Sequence, residues 1–318
     1  MRGLCRTAER RRFAFREGTA MYRPFAAAIL LALLSPPLVA REIFVNNVTG
    51  DDRNDGSQAE NDDVRRGPLR TIAMATKVAE AGDRISLAKT DEPYRECVTL
   101  QGGKNSGLSS QPFTLDGNGA ILEGGTPVPP GAWQFVKGNV FKFQPRRLHH
   151  QNLFIDGIPV TRLPAKDDEP LPDLKPLEWC LWRQAIHFCV EDRASPRSYN
   201  LSFAAHPVGI TLYEVRNVVV ANLTIQGFQL DGVNAHDGAT DCSAVGLVCR
   251  GNGRSGISVG GASRVDVRNC TLGNNGVTQL RVEQKGKIRV DGSQLLETGV
   301  APYTLDGGVL WIDGKEAK

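Results

Sequence analysis

The sequence has no run of 18 apolar residues, so it does not predict a protein with several membrane-spanning helices. It also lacks a phosphate-binding loop, a nucleophile elbow, a dinucleotide-binding glycine motif and the Cys/His spacing of zinc sites. A strong basic charge is missing too. The formal net charge of +3 becomes −2 for residues 41–318, because residues 1–40 carry seven Arg against two Glu, a surplus of +5. The main part of the chain therefore shows no electrostatic signature of nucleic-acid binding.

Residues 21–40 have the order of regions that is typical of a secretory signal peptide. Arg23 gives the positive start, residues 25–34 the apolar stretch, and Ala40 a small residue for cleavage before Arg41. The apolar stretch is too short to span a bilayer comfortably, although an uncleaved anchor is the alternative. We therefore expect residues 1–40 to be an N-terminal extension and signal peptide. The mature protein is then secreted or periplasmic, with no integral membrane span.

Cysteine is scarce for an exported chain. Seven are present, and Cys5 goes with the leader, which leaves six in 278 residues. That number is too small for a disulfide-stapled scaffold. Cys180 and Cys189, nine residues apart, are the one pair that a hairpin could join as a disulfide.

Apolar residues make up 41% of the whole chain, which is enough to form a folded core. A period of about 23 residues runs through the second half of the sequence. The segments NLTI, GLVC, NCTL and GSQL begin at residues 222, 246, 269 and 292, which are 24, 23 and 23 residues apart. Two further sets of segments, beginning at residues 209 and 218, repeat with the same spacing. Alternate positions in each set are mostly apolar, as in half-buried strands. Units this small must stack on each other to bury that face, which predicts a solenoid of three parallel sheets.

One residue separates the second strand from the third in each repeat, and it is Asn222, Gly246, Asn269 or Gly292. Asn and Gly enter the left-handed region most readily, so the pattern predicts one sharp corner in every coil. The same register predicts that inward side chains stack from coil to coil, as Val233 does on Ile257, and it makes core thiols of Cys242, Cys249 and Cys270. An irregular β-sandwich is the alternative, but three registers that agree over four or five coils favour the solenoid.

With these coils the sequence resembles the right-handed parallel β-helix of the pectin-lyase-like superfamily over most of residues 41–318. The resemblance implies an all-β, three-sheet β-helix with an N-terminal helical cap and an inserted β-meander. Residues 41–123 are expected to form the cap and first coil, with Thr71 capping a helix that ends at Gly82. Residues 124–205 break the period and are expected to be the inserted meander, or a small domain joined through residues 163–176. Residues 206–318 form the remaining coils.

Enzymes of this superfamily usually bind substrate along the first sheet, which here contains the strands that begin at residues 209, 232, 256 and 279. Strands on adjacent coils lie about 4.8 Å apart, so outward side chains on these strands and their borders can converge. The expected catalytic residues are Arg254, Arg281, Lys285 and His236. The expected substrate-binding residues are Asn234, Ser258 and Glu283. Asp231 and Asp237 are expected to hold Ca²⁺ against a substrate carboxylate.

Two reactions fit this set of residues. Removal of a proton next to a uronate carboxylate needs a base and a cation, for which Arg254, Arg281 or Lys285 are candidates. Glycoside hydrolysis needs two carboxyl groups about 5–9.5 Å apart, which Asp231 could form with Asp237 or Glu283. The fragment QLDGVN resembles the polygalacturonase motif only superficially, since the paired aspartates and the Gly-His-Gly element of that motif are absent.

We therefore expect an exported protein that acts on an acidic polysaccharide, by β-elimination rather than hydrolysis. The alternative is a non-catalytic β-helix protein that binds carbohydrate or serves at the cell surface. An incomplete or degenerate member is the third reading, since no amphipathic helix follows the last coil. Both an enzyme and a binding protein are consistent with these residues, and among enzymes a polysaccharide lyase is favoured over a glycoside hydrolase.

Overall fold

The computed structural model describes residues 40–62, 64–146 and 150–318. The predicted signal peptide lies outside these residues, apart from Ala40 at its predicted cleavage site. Residues 40–318 cluster as one compact unit. No helix within the described residues is both long and apolar enough to cross a membrane.

The chain begins with a strand and a short helix that lead into the first coil. These elements are β1 (Glu42–Val45), α1 (Ile72–Val78), β2 (Arg84–Leu87), β3 (Val98–Gln101), β4 (Phe113–Asp116) and β5 (Ile121–Glu123). Thr71 caps α1 as predicted, because its hydroxyl accepts a hydrogen bond from the Met74 N–H at 3.1 Å. The helix is shorter than predicted: it ends at Val78, since Ala79 is already extended, and Gly82 lies beyond it in a turn.

Residues between β5 and the next coil form an insert of nine strands. Counted over residues 124–146 and 150–205, these strands are β6 (Gly125–Pro127), β7 (Gln134–Lys137), β8 (Val140–Phe143), β9 (Leu153–Ile155), β10 (Ile158–Pro159), β11 (Thr161–Arg162), β12 (Glu178–Trp182), β13 (Ala185–Cys189) and β14 (Leu201–Ala204). One sheet has the order β10-β9-β14-β6 and the other β11-β12-β13-β8-β7. The insert is thus two small sheets rather than the expected single meander, because β8 pairs with β13 and β14 pairs with both β6 and β9.

The predicted Cys180–Cys189 disulfide is wrong. The hairpin of β12 and β13 places Cys180 opposite His187, while Cys189 lies two positions further along β13 and pairs with Val140 on β8. Both cysteines are free, buried thiols in an apolar cluster with Leu174. Spacing alone predicted a hairpin correctly but misjudged its register by two residues.

The remaining coils contain fifteen strands within the described residues. They are β15 (Ile210–Tyr213), β16 (Val218–Ala221), β17 (Thr224–Gln226), β18 (Asp231–His236), β19 (Cys242–Val245), β20 (Val248–Arg250), β21 (Ser255–Val259), β22 (Arg264–Arg268), β23 (Thr271–Gly273), β24 (Thr278–Glu283), β25 (Lys287–Asp291), β26 (Gln294–Leu295), β27 (Ala301–Asp306), β28 (Val309–Ile312) and β29 (Lys315–Glu316).

Three parallel sheets wrap around a common core, as the repeats predict. Sheet 1 has the order β3-β15-β18-β21-β24-β27, sheet 2 the order β1-β2-β4-β16-β19-β22-β25-β28-β29, and sheet 3 the order β5-β17-β20-β23-β26. Only β29 runs antiparallel to its neighbour in these three sheets. β5 belongs to sheet 3 and β15 to sheet 1. The insert therefore lies in the turn of the β-helix that connects sheet 3 to sheet 1.

The corners between sheets 2 and 3 have the predicted left-handed conformation. The φ angles are 51° at Asn222, 61° at Gly246, 52° at Asn269 and 56° at Gly292. The alternation of Asn and Gly has a steric reason. A Cβ at Gly246 would lie 3.0 Å from the Asn222 Oδ1, and one at Gly292 would lie 3.0 Å from the Asn269 Oδ1. Each Asn side chain therefore occupies the space above the Gly of the next coil.

The inward columns are dry and continuous. Val233 pairs with Ile257, and both are buried, which confirms the predicted stacking. Cys242, Cys249 and Cys270 are buried free thiols in the same core, as predicted. Burial raises the pKa of Cys242 to about 11, so this thiol stays protonated and unreactive at neutral pH.

We predict that Ile257→Asp costs several kcal/mol out of a total stability of about 5–15 kcal/mol, because it buries a charge without a partner. Ile257 lies between Val233 and Leu280 and is fully buried. Chemical denaturation measures the loss. Lys287→Asp is the matched control, since Lys287 is exposed on β25, and we expect it to change stability by no more than about 0.5 kcal/mol. An Ile257→Asp protein as stable as the parent would contradict the register.

Candidate functional site

Two outward columns of side chains cross sheet 1. The first contains the register partners Thr99, Thr211, Asn234, Ser258, Arg281 and Thr304. The second contains Gln101, Tyr213 and His236, then Glu283 and Asp306 after a gap of one coil. Because the strands are parallel and in register, side chains far apart in sequence meet on this face.

A buried ion pair lies where the strands of sheet 1 begin. Arg254 donates two hydrogen bonds to Asp231, from Nε to Oδ1 at 3.0 Å and from Nη2 to Oδ2. Ser255 Oγ and Asn234 Nδ2 also donate to this carboxylate, at 2.6 and 3.0 Å. The Asp231 side chain has no solvent exposure, while that of Arg254 is 21% exposed. The two hydrogen bonds from Arg254 to Asp231 fix the orientation of the guanidinium group. Asp231 also holds the pKa of Arg254 above its ordinary value.

A second charged cluster lies at the far end of the same strands. Arg281 Nη2 donates to Glu283 Oε1 at 2.5 Å, and His236 Nε2 lies 3.9 Å from Glu283 Oε2. His236 and Glu283 are two coils apart. They meet because the coil between them has Gly260, where a Cβ would lie only 2.3 Å from His236 Cε1. The missing side chain gives the imidazole room to reach Glu283.

The charges of this cluster set its protonation. The hydrogen bond from Arg281, and then the charges of Arg281, Arg254 and His236, lower the pKa of Glu283 against the opposing effect of burial. Glu283 in turn raises the pKa of Arg281. The carboxylate is therefore ionised at neutral pH, and neither arginine is suited to accept a proton.

The column between the two charged groups has hydrogen-bonding capacity that the described part of the protein does not use. Ser258 Oγ and Arg281 Nε are buried and have no hydrogen-bond partner there. Unpaired buried polar atoms are uncommon in folded proteins and concentrate at sites with another role. Asn234, Ser258 and Arg281, all predicted as site residues, thus form one continuous column.

Tyr213 and Asp306 belong to the same face but were missed by the sequence reasoning. Tyr213 is the register partner of His236 and is 38% exposed. Asp306 is the register partner of Glu283. The 23-residue period could have found both, since they occupy the His236 and Glu283 positions of their own coils.

Asp237 and Lys285 lie at the border of the sheet rather than in the two columns. Asp237 is exposed at φ 56°, immediately after β18, and Lys285 is exposed in the corresponding turn after β24. Asp231 and Asp237 are six residues apart at opposite ends of an extended strand, which separates them by about 20 Å. The structure therefore does not bring the two predicted calcium ligands together.

The residues present do not fit a calcium ion at Asp231. Both oxygens of its carboxylate accept hydrogen bonds from Arg254, Ser255 or Asn234. A calcium site needs six to eight oxygen ligands. Within residues 40–62, 64–146 and 150–318, no three His, Cys, Asp or Glu side chains form a group that could hold a metal ion.

Comparison with known proteins supports the fold. Residues 186–308 match the family described as right handed beta helix region. A solved structure of a glycoside hydrolase is similar, with a TM-score of 0.56 and 10% sequence identity. The matched region covers 84% of this chain and 74% of the glycoside hydrolase chain. With the strand registers, these two matches confirm the predicted right-handed parallel β-helix fold.

Two more solved structures are similar at a lower level. XylC in complex with xylose covers 85% of this chain and 68% of its own, with a TM-score of 0.43 and 14% identity. The pectate lyase Pel9A covers 88% and 79%, with a TM-score of 0.29 and 9% identity. No curated protein matches the sequence.

We predict that Arg254→Ala destabilises the protein by about 3–5 kcal/mol, because it leaves the buried Asp231 carboxylate without its cation. Denaturant unfolding measures the effect. The double variant Asp231→Asn with Arg254→Ala should recover part of the loss, since no charge then stays buried. If Arg254→Ala were as stable as the parent, the pair would have no structural role. Lost activity in Arg254→Ala alone is thus no evidence for a catalytic role.

We also predict a pH-dependent contribution from Glu283. A carboxylate whose pKa is lowered by folding stabilises the protein above its unfolded pKa of about 4.3, and this contribution disappears as pH falls through the lowered pKa. The difference in unfolding free energy between the parent and Glu283→Gln should therefore be constant near neutral pH and shrink from about pH 5 downward. The same comparison in an Arg281→Gln background should be nearly flat. Equal pH dependence in both backgrounds would refute the pairing.

Proposed function

We propose that the protein is exported, binds an acidic polysaccharide along the outward face of sheet 1, and cleaves it by β-elimination. The observation that carries this proposal is the cluster of His236, Glu283 and Arg281, in which Glu283 accepts a hydrogen bond from Arg281 and lies 3.9 Å from the His236 imidazole. The fold, which a solved glycoside hydrolase shares, supports a carbohydrate ligand but does not choose the reaction.

His236 is the base in this proposal. An imidazole can accept and return a proton near neutral pH, whereas Arg254 and Arg281 are held as cations by their ion pairs. The His236 side chain is 29% exposed, so substrate can reach it. The ionised Glu283 next to it stabilises the imidazolium that forms when the proton is taken.

Arg281 is the group that neutralises the substrate carboxylate. As His236 takes the proton from the carbon next to the carboxylate, negative charge moves onto the carboxylate oxygens, and a nearby guanidinium lowers the energy of that state. The electron pair then forms a carbon–carbon double bond, and the bond from the next carbon to the glycosidic oxygen breaks. The leaving oxygen takes a proton from water, and His236 returns its proton to the hydroxide that remains. Arg281 uses one amino group for Glu283, which leaves further N–H donors for the substrate.

Tyr213 provides an apolar surface on the outward face of sheet 1 against which a sugar ring can pack. It lies beside His236 on the neighbouring strand and exposes an aromatic ring with a hydroxyl at its tip. The C–H groups of a sugar ring pack on such an apolar surface, while Asn234 and Ser258 offer polar groups to its hydroxyls. We propose that Tyr213 positions the sugar next to the base.

Glycoside hydrolysis is the second candidate, and one observation favours it. Glu283 and Asp306 are direct register partners on adjacent strands, so two carboxyl groups lie on one face. Hydrolysis requires such a pair at about 5–9.5 Å, with one group protonated. Since Arg281 lowers the pKa of Glu283, Asp306 would have to donate the proton.

We predict that the purified protein forms unsaturated uronate products from at least one of pectate, alginate and glycosaminoglycans, detected by their ultraviolet absorbance. Each polymer is tested with and without added Ca²⁺. His236→Ala should lower the rate about 100-fold or more, the usual contribution of a general base. Arg281→Ala should also slow the reaction. Arg264→Ala is the matched control, because it removes an exposed arginine from the outward face of sheet 2.

The outcomes separate the candidates. New reducing ends without absorbance would replace β-elimination by hydrolysis, and Asp306→Asn and Glu283→Gln should then both be inactive. Full activity in His236→Ala would remove it as the base. Binding of an acidic polymer without any cleavage would leave a carbohydrate-binding protein, the non-catalytic alternative.

A further inference from the structure

A cavity of about 400 Å³ lies where the insert meets the coils. Its wall includes Phe143 from β8 and Phe203 from β14, whose ring centroids are 4.9 Å apart in an edge-to-face arrangement. Arg146 and Gln144, both exposed, lie at the same cavity. Apolar rings with a few polar groups at the edge are typical of small-ligand pockets.

Gln229 is the coil residue in this wall, and it is completely buried. Its amide Nε2 donates to the Ala204 carbonyl at 3.0 Å, which fixes the orientation of the side chain. Its Oε1 has no hydrogen-bond partner in the described part of the chain. A buried acceptor without a partner is costly, so its retention beside a cavity indicates a role in binding.

The cavity lies next to the start of the strands that form the candidate site. Gln229 precedes Asp231 by two residues in the segment that leads into β18. At Gly253, directly before Arg254, a Cβ would lie 2.1 Å from the His150 carbonyl oxygen and 2.3 Å from the Gln229 carbonyl oxygen. The insert therefore contacts the coil beside the Arg254–Asp231 pair. Gln229 and His236 are seven residues apart, a span of at most about 25 Å.

We infer that this cavity is a second binding position for the same polymer, which takes a sugar unit with a negatively charged group several units away from the unit at His236. The inference rests on the proposed function. Phe143 and Phe203 pack against the sugar ring, Arg146 pairs with the carboxylate or sulfate group, and the Gln229 amide accepts from a hydroxyl. The charge of Arg146 selects an acidic unit over its neutral ester.

The test uses the His236→Ala protein, in which cleavage of bound oligosaccharides is slowed about 100-fold or more. Size-fractionated oligosaccharides of pectate and alginate, and methyl-esterified pectate oligosaccharides, are titrated by calorimetry. Arg146→Ala in this background should weaken the binding of long acidic oligosaccharides about tenfold, as expected for a charge-assisted hydrogen bond at a partly exposed site. Arg146→Ala should leave the binding of the shortest acidic oligosaccharides and of the methyl-esterified oligosaccharides unchanged. Lys142→Ala, which removes another exposed charge from β8, is the matched control.

Phe203→Leu keeps the apolar volume but removes the ring, so it should weaken long acidic and long esterified oligosaccharides alike. Equal binding of every length by the Arg146→Ala and parent proteins would overturn the inference while the proposed function stands. A loss of the same size for the shortest oligosaccharides would also overturn it, because the cavity would not then be a separate position. If none of these oligosaccharides binds the parent protein, both the proposed function and the inference fail for these polymers.

Discussion

The single left-handed residue between sheets 2 and 3 is the constraint on which the rest of the coil depends. With one left-handed residue at this corner in four successive coils, the strands on either side keep their alternation of inward and outward side chains. A shift of one residue would exchange the inward and outward side chains of every following strand. The apolar columns of Val233 and Ile257, and the polar columns of sheet 1, therefore result from the same corner geometry.

The candidate site has two parts with different physical roles. In the Asp231–Arg254 pair, the carboxylate is fully buried and accepts hydrogen bonds at both oxygens, and the pair holds the beginnings of two neighbouring strands together. The His236–Glu283–Arg281 cluster is partly exposed, and Arg281 Nε has no hydrogen-bond partner in the described part of the chain. The carboxylate of the first part already has its hydrogen-bond partners, whereas the second can still form interactions, which is why we propose the second as the place of the reaction. Gly260 makes this possible, since any other residue there would separate His236 from Glu283.

Much of the fold was predictable because a 23-residue period specifies both a position in the coil and a direction, inward or outward. The corners at Asn222 and Gly246 and the buried cysteines of the coils followed from that pattern, while the helix cap at Thr71 followed from its local sequence. The hydrogen-bond partners of the site residues did not follow from the period. The period places Arg254 beside Asp231, but not the two hydrogen bonds that disqualify Arg254 as a base. The insert has no period, so its two sheets and the register that separates Cys180 from Cys189 could not be derived.

Because Asn and Gly alternate at the corners, a pair of coils, rather than one coil, is the smallest insertion that preserves every corner contact. A duplication of one coil would place Asn on Asn or Gly on Gly at adjacent corners. The first crowds two side chains into the space that the structure shows above Gly246 and Gly292, and the second leaves that space empty. A duplication of two coils, about 46 residues, preserves every corner contact. An engineered insertion of two coils should therefore disturb fewer corner contacts than an insertion of one coil.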